Sequence, residues 1–141
     1  MLHIIKDLND PLIHLVKDDP VRPSIPTAAR VHDHAEIFVL LEERVPQAVV
    51  CVAYLDSVPT TETELGHRGD RVAAFYTIWS YQPRAGRKLI VATRDWIRQQ
   101  RPTIEQYVTL SPKTEMARRF HLNNGASILQ DNPETVNYLY Q

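Results

Sequence analysis

The order of elements along the chain predicts an α+β fold with a mixed, mostly antiparallel sheet flanked by helices. Three observations carry that expectation. Two β-branched runs, 36–43 and 48–55, are separated by four turn-like residues and read as a hairpin. Val72–Ser80 is aromatic, β-branched and apolar on both faces, the mark of a central strand. An amphipathic stretch over 86–100 then separates it from another apolar run at 104–110, which calls for one crossover and one parallel step.

In order, Leu2-His3-Ile4-Ile5-Lys6 reads as a first strand closed by Asn9-Asp10-Pro11. Leu12, Ile13 and Val16 fall at helical spacing, and Pro20, Pro23 and Pro26 forbid a regular element after them because each fixes φ and lacks an amide proton. A short helix is expected at 27–34. The hairpin turns at Arg44-Val45-Pro46-Gln47, and 57–71 is polar and aperiodic, hence a loop. Leu89, Ile90, Thr93, Trp96 and Ile97 form one face of the 86–100 helix, which Pro102 ends. A second helix spans 115–123, with Gly125 placed for a left-handed cap. Two short strands, 127–130 and 135–140, close the chain around Asp131-Asn132-Pro133.

With 141 residues, 43% hydrophobic and 23% charged, the chain reads as one domain over 1–141, long enough to bury a core unaided. A net charge of −1 and the lack of a long basic run give no footprint for nucleic acid. No apolar run is long enough for a membrane helix and no leader pattern opens the chain, so a cytoplasmic location is expected. One cysteine, Cys51 in Ala48-Val49-Val50-Cys51-Val52-Ala53, excludes an internal disulfide and reads as a buried bystander. His32-Asp33-His34 lacks a further ligand cluster, so no metal is expected. Trp79 and Trp96 read as core, and nothing in the sequence excludes a homodimer.

Two segments point to chemistry. Tyr81-Gln82-Pro83-Arg84-Ala85-Gly86-Arg87-Lys88 joins the central strand to a helix. Unpaired amides at a helix start, Gly86 for close approach and three cations suit a pyrophosphate. The candidate anion-binding residues are therefore Gln82, Arg84, Ala85, Gly86, Arg87 and Lys88; a turn with solvated cations explains the same residues. Downstream, Thr109-Leu110-Ser111-Pro112 sets a hydroxyl at a strand end, and Phe120-His121-Leu122-Asn123-Asn124-Gly125-Ala126 sets an imidazole on the next helix. Ser111-Pro112 is also a good helix start, serine as N-cap and proline at the first helical position. Ser111 and His121 would then lie ~15 Å apart along the helix. If Thr114 is the cap instead, Ser111 is free to turn back.

The element order resembles the acyl-CoA N-acyltransferase (GNAT) fold, in which coenzyme A lies across splayed central strands. That fold's signature, a glutamine or arginine followed by two glycines one residue apart, is met poorly: with Gly86 as the second glycine, Arg84 stands at the first and Tyr81 at the glutamine. In such enzymes a tyrosine four residues before the closing glycine protonates the departing thiolate; here that position is His121.

Four motifs are similar, in the same order, to those of the malonyl-CoA decarboxylase catalytic domain: Phe75-Tyr76-Thr77-Ile78, Thr109-Leu110-Ser111-Pro112, the stretch 120–126, and Val136-Asn137-Tyr138-Leu139-Tyr140. The likeness spans about 36–141, including Val58-Pro59-Thr60-Thr61. The resemblance implies Ser111, His121 and Tyr138 as catalytic residues and a malonyl-type CoA thioester as substrate, decarboxylated without metal or organic cofactor. Transfer of an acyl group from CoA to an amine is the alternative. The chain departs from the family in lacking its helical domain, its glycine-rich phosphate loop and the insertion between serine and histidine motifs.

Overall fold

The computed structural model describes residues 1–141. Its strands are β1 (Leu2–Ile5), β2 (Ala35–Glu42), β3 (Val45–Leu55), β4 (Val72–Ser80), β5 (Gln106–Thr109), β6 (Ser111–Pro112), β7 (Ser127–Asp131) and β8 (Thr135–Tyr140); the helices are α1 (Ala85–Gln100) and α2 (Glu115–Asn123). They form one sheet in the order β1-β2-β3-β4-β5-β8-β6, with β7 on the other edge of β8. Every pairing is antiparallel except β4 with β5, where α1 makes the crossover. The expected α+β architecture is therefore the observed one.

Period-two alternation divides the core. Along β3, Val49, Cys51, Ala53 and Leu55 face one side, where they meet Ile37, Val39, Tyr76 and Leu110. Ala48, Val50, Val52 and Tyr54 face the other, where α1 contributes Leu89, Ile90 and Ile97. Both faces are covered, which is why β3 and β4 lack polar alternation.

Several expectations needed correction or refinement. The hairpin turns at Glu43-Arg44, not at 44–47, because both residues take positive φ, 52° and 69°, and Glu42 pairs with Val45. That is the two-residue geometry whose twist matches the strands. The helix expected at 27–34 is one 3-10 turn, Thr27–Ala29, and the helically spaced stretch near 12–17 is likewise a 3-10 segment, Ile13–Asp18. The 57–71 loop contains a 3-10 turn, Glu62–Gly66, started by a capping box between Thr61 and Glu64.

The proline-rich excursion is held down by charge. Arg30 is 0% exposed; its Nη1 donates to Asp19 Oδ2 at 2.7 Å, its Nη2 to the Arg22 carbonyl and its Nε to the Ile25 carbonyl. Asp19 Oδ1 accepts from the amides of Val21 and Arg22 and from Thr77 Oγ1 on β4. Arg22 Nη2 in turn donates to the Leu110 carbonyl. A segment that cannot join the sheet is thereby tied to β4 and to the chain just after β5.

Burial pushes the Asp19 pKa up, but the hydrogen bonds from Arg30, the Arg22 and Val21 amides and Thr77 outweigh it and hold the carboxyl below its usual range. A carboxyl depressed in the fold stabilises it above the unfolded pKa, and that contribution is lost as pH falls toward the folded one. Asp19→Ala strands the Arg30 charge, so urea denaturation should show a loss of about 3–5 kcal/mol at pH 7. The loss should shrink at acid pH; equal losses at pH 7 and pH 3 would contradict the assignment.

Candidate functional site

Past Phe75 and Thr109 the parallel pair separates. β4 continues to Ser80 paired with β3 alone, while the chain after Thr109 pairs with β8 as β6. A bulge sits at the parting: Phe75 pairs with Val52 and Thr77 with Cys51, leaving Tyr76 without a partner on β3. Asn137 on β8 is 0% exposed, and its carboxamide Nδ2 donates to the Thr109 carbonyl at 2.7 Å and to the Pro59 carbonyl at 2.8 Å, fixing the chain where it turns away.

α2 roofs the opening. Thr114 is its N-cap, with a hydroxyl accepting from the Ala117 amide at 3.2 Å, so Ser111 is released from capping and lies in β6 opposite Val136. At the other end, Gly125 at φ 93° lets the Ala126 amide reach the His121 carbonyl and the Gly125 amide reach that of Leu122. This double closure ends the helix one turn after His121.

Between β4, the 110–112 segment and α2 lies a cavity of about 220 Å³. Ser111 and His121, widely separated had Ser111 begun the helix, both line it, beside Tyr76, Thr77, Trp79 and Phe120. No lysine, arginine, aspartate or glutamate is among its lining residues.

His121 is 5% exposed, and Nδ1 lies 2.7 Å from the Tyr140 hydroxyl. Nε2 has no partner in the protein. Tyr138 does not line the cavity; its ring stacks on the imidazole at 4.9 Å between centroids and 27° between planes. Phe120 meets the same ring edge-on at 5.0 Å. Burial pulls the His121 pKa down to about 4, so the ring is neutral at physiological pH. Burial likewise raises the phenol of Tyr140. The Ser111 and Thr109 hydroxyls are 2.8 Å apart, and Thr109 Oγ1 also accepts the Tyr138 amide at 3.0 Å.

Sequence reasoning missed Tyr140, Thr109 and Asn137. Tyr138 and Tyr140 are two residues apart on one strand face, so the pattern alone could not say which phenol reaches the ring. Thr109 and Asn137 stand inside the quoted motifs, yet only the fold brings them together.

At the loop, Gln82, Arg84, Arg87 and Lys88 are exposed, whereas Ala85 and Gly86 are buried. Arg84 is the residue before α1 and takes φ 66°, the left-handed conformation that favours glycine. A turn that glycine would make without strain is here made by an arginine. The amides of Gly86 and Arg87 precede the helix's own ladder. Gly86 allows a close approach, but its partner is a side chain: a Cβ there would lie 2.9 Å from Phe120 Cζ and 3.1 Å from Ser80 Oγ. Cys51 is buried and its thiol is pushed up to about 11 by desolvation, as befits a bystander. No group of three or more potential metal ligands occurs, and no helix is long and apolar enough to cross a membrane.

No family model and no curated protein matches this sequence. Solved structures do. The malonyl-CoA decarboxylase from Agrobacterium vitis superimposes with a TM-score of 0.83 at 19% identity over 100% of this chain and 60% of that one. That from Cupriavidus metallidurans gives 0.75 at 17% over 99% and 60%. The GNAT domain of S. lividans PAT gives 0.67 at 12% over 99% and 88%. At such identities the likeness defines the fold, which is GNAT-like. This chain spans about 60% of the length of the two decarboxylases.

A histidine buried neutral costs stability once the unfolded chain can take up the proton. Between the unfolded value near 6.5 and the folded value of about 4, stability falls as pH falls, by about 3 kcal/mol for His121. Chemical denaturation at pH 7 and pH 4 should show a drop that is smaller by that amount in His121→Gln. An identical drop in both proteins would contradict the neutral ring.

Proposed function

We propose that this chain binds an acyl-CoA thioester and decarboxylates a malonyl-type acyl group. The observation that carries the reading is the meeting of Ser111 and His121 in one uncharged cavity at the parting of β4 and β5. CoA enters between the strands with its pyrophosphate at the start of α1, where Gln82, Arg84, Arg87 and Lys88 stand exposed and the amides of Gly86 and Arg87 precede the helix's own ladder.

The reaction needs little from the protein but must have that little in place. The bond between the carboxylate and the methylene carbon breaks, CO2 leaves, and the electron pair moves onto the thioester oxygen as an enolate. Ser111 Oγ and His121 Nε2 meet that oxygen as donors, since both residues line the cavity, and preorganised donors lower such a barrier strongly. An uncharged lining offers the starting carboxylate no ion pair, while the product CO2 needs none. The enolate of a thioester is a far stronger base than imidazolate. A neutral ring can therefore pass the Nε2 proton to the methylene carbon and recover it from water. Tyr138 supports the imidazole by stacking.

Acyl transfer from CoA to an amine is the second reading. The fold is shared with such enzymes as well: the Campylobacter jejuni N-acetyltransferase PseH superimposes over 99% of this chain with a TM-score of 0.67 at 8% identity. Against it, the cavity holds no carboxylate to bind an ammonium group.

Incubation with malonyl-CoA, followed by mass spectrometry, should yield acetyl-CoA. Removal of one enolate donor, in His121→Ala or Ser111→Ala, should lower kcat by about 10²–10³-fold. Acetyl-CoA consumed only with an added amine would instead support transfer. No heat of binding with millimolar CoA would remove both readings.

A further inference from the structure

The cavity that holds Ser111 and His121 is lined from both layers of the core. Phe120 and Ile78 belong to the layer beneath α1, on the side of the sheet where Gly86 and the start of that helix lie. Trp79 and Leu110 belong to the opposite layer, beneath the proline-rich segment, which adds Val21 to the lining. The space therefore passes through the parting of the strands. A thioester whose CoA comes from the α1 side, with its oxygen at Ser111 and His121, sends the remainder of its acyl group to the far end.

That end is apolar and stiff. Thr77 turns its hydroxyl to Asp19 Oδ1 at 2.8 Å, and the Tyr76 hydroxyl is wholly buried, with no surface left for the cavity. Val21 is fixed through its amide, which donates to the same Asp19 oxygen at 2.8 Å. The Trp79 indole N–H donates to the Tyr81 hydroxyl at 3.0 Å, and that hydroxyl donates to Asp18 Oδ2 at 2.7 Å. An indole held by its nitrogen makes a wall of fixed orientation. A carboxylate pushed against these walls would lose its water and gain no ion pair, whereas an alkyl group is favoured there.

Size agrees. An apolar cavity of about 150 Å³ holds benzene, so one of about 220 Å³ holds roughly half as many atoms again. The malonyl group beyond sulfur has as many non-hydrogen atoms as benzene, which leaves room for a short alkyl branch.

We propose that the preferred substrate is a malonyl thioester with a methyl or ethyl branch on its central carbon, and that Trp79 limits the length of that branch. The chemistry rests on the decarboxylase reading. The bond from the branched carbon to the carboxylate breaks, CO2 leaves, and one proton on that carbon completes a saturated acyl-CoA. Tyr81 is a positioning residue that acts through the indole.

Two series on the full chain test the proposal. In the first, the saturated products acetyl-, propionyl-, butyryl- and hexanoyl-CoA are titrated by calorimetry, which needs no turnover. Affinity should rise about fourfold per added methylene from acetyl to butyryl and drop at hexanoyl. Val21→Phe, which fills the far end, should erase the rise. Tyr81→Phe, which frees the indole, should let hexanoyl-CoA bind as tightly as butyryl-CoA. No rise in the wild type, or a rise that survives in Val21→Phe, overturns the proposal; a cut-off unmoved in Tyr81→Phe overturns the role of Trp79. In the second series, malonyl-, methylmalonyl- and ethylmalonyl-CoA are followed by mass spectrometry, and kcat/KM should be highest for a branched member. Turnover of malonyl-CoA alone sinks this inference and leaves the decarboxylase reading, whereas the rise in affinity without any turnover does the reverse.

Discussion

One buried carboxamide governs the geometry on which everything else is built. Asn137 donates to the Thr109 carbonyl and to the Pro59 carbonyl, and its Oδ1 accepts from Gln130 and Asn132. It thereby ties together the end of β5, the 57–71 loop and the final hairpin at the point where β5 stops following β4. Two parallel strands left to themselves would zip on; here one of them is claimed by other partners. The opening, the cavity and the roof over it follow from that diversion.

The same economy appears behind the sheet. Asp19 and Arg30 form a buried pair that contributes little as an isolated attraction, since both ions lose their water. Its role is positional. Through Thr77 and through Arg22 on the Leu110 carbonyl, the proline-rich segment is fastened to both lips of the parting. Hydrophobic packing gives the sheet its two covered faces, while directed hydrogen bonds decide where the strands come apart.

Much of the architecture was legible because burial writes a clear pattern: the apolar runs of β2, β3 and β4, the single face of α1 and the glycine closing α2 all read directly. The errors have physical causes. Glu43 and Arg44 hide a two-residue turn because they lack the usual asparagine or glycine. Three prolines after a helically spaced stretch left room only for 3-10 turns. Ser111 was ambiguous because a serine before proline suits a cap and a catalytic loop equally, and the answer lay in a contact between Thr114 and Ala117. The choice between Tyr138 and Tyr140 depended on which ring stacks and which hydroxyl bonds. The loop at 81–88 looked degraded by residue type, yet Arg84 adopts the conformation that a glycine would provide.

The central claim is that Ser111 and His121 surround one reacting oxygen. A crystal structure with a malonyl-CoA analogue whose terminal carboxylate cannot leave tests this most directly. The account predicts the thioester oxygen within hydrogen-bond distance, about 2.7–3.1 Å, of both His121 Nε2 and Ser111 Oγ, with the pantetheine arm between β4 and β5. An acyl end seated outside this cavity, or an oxygen contacting neither side chain, would contradict it.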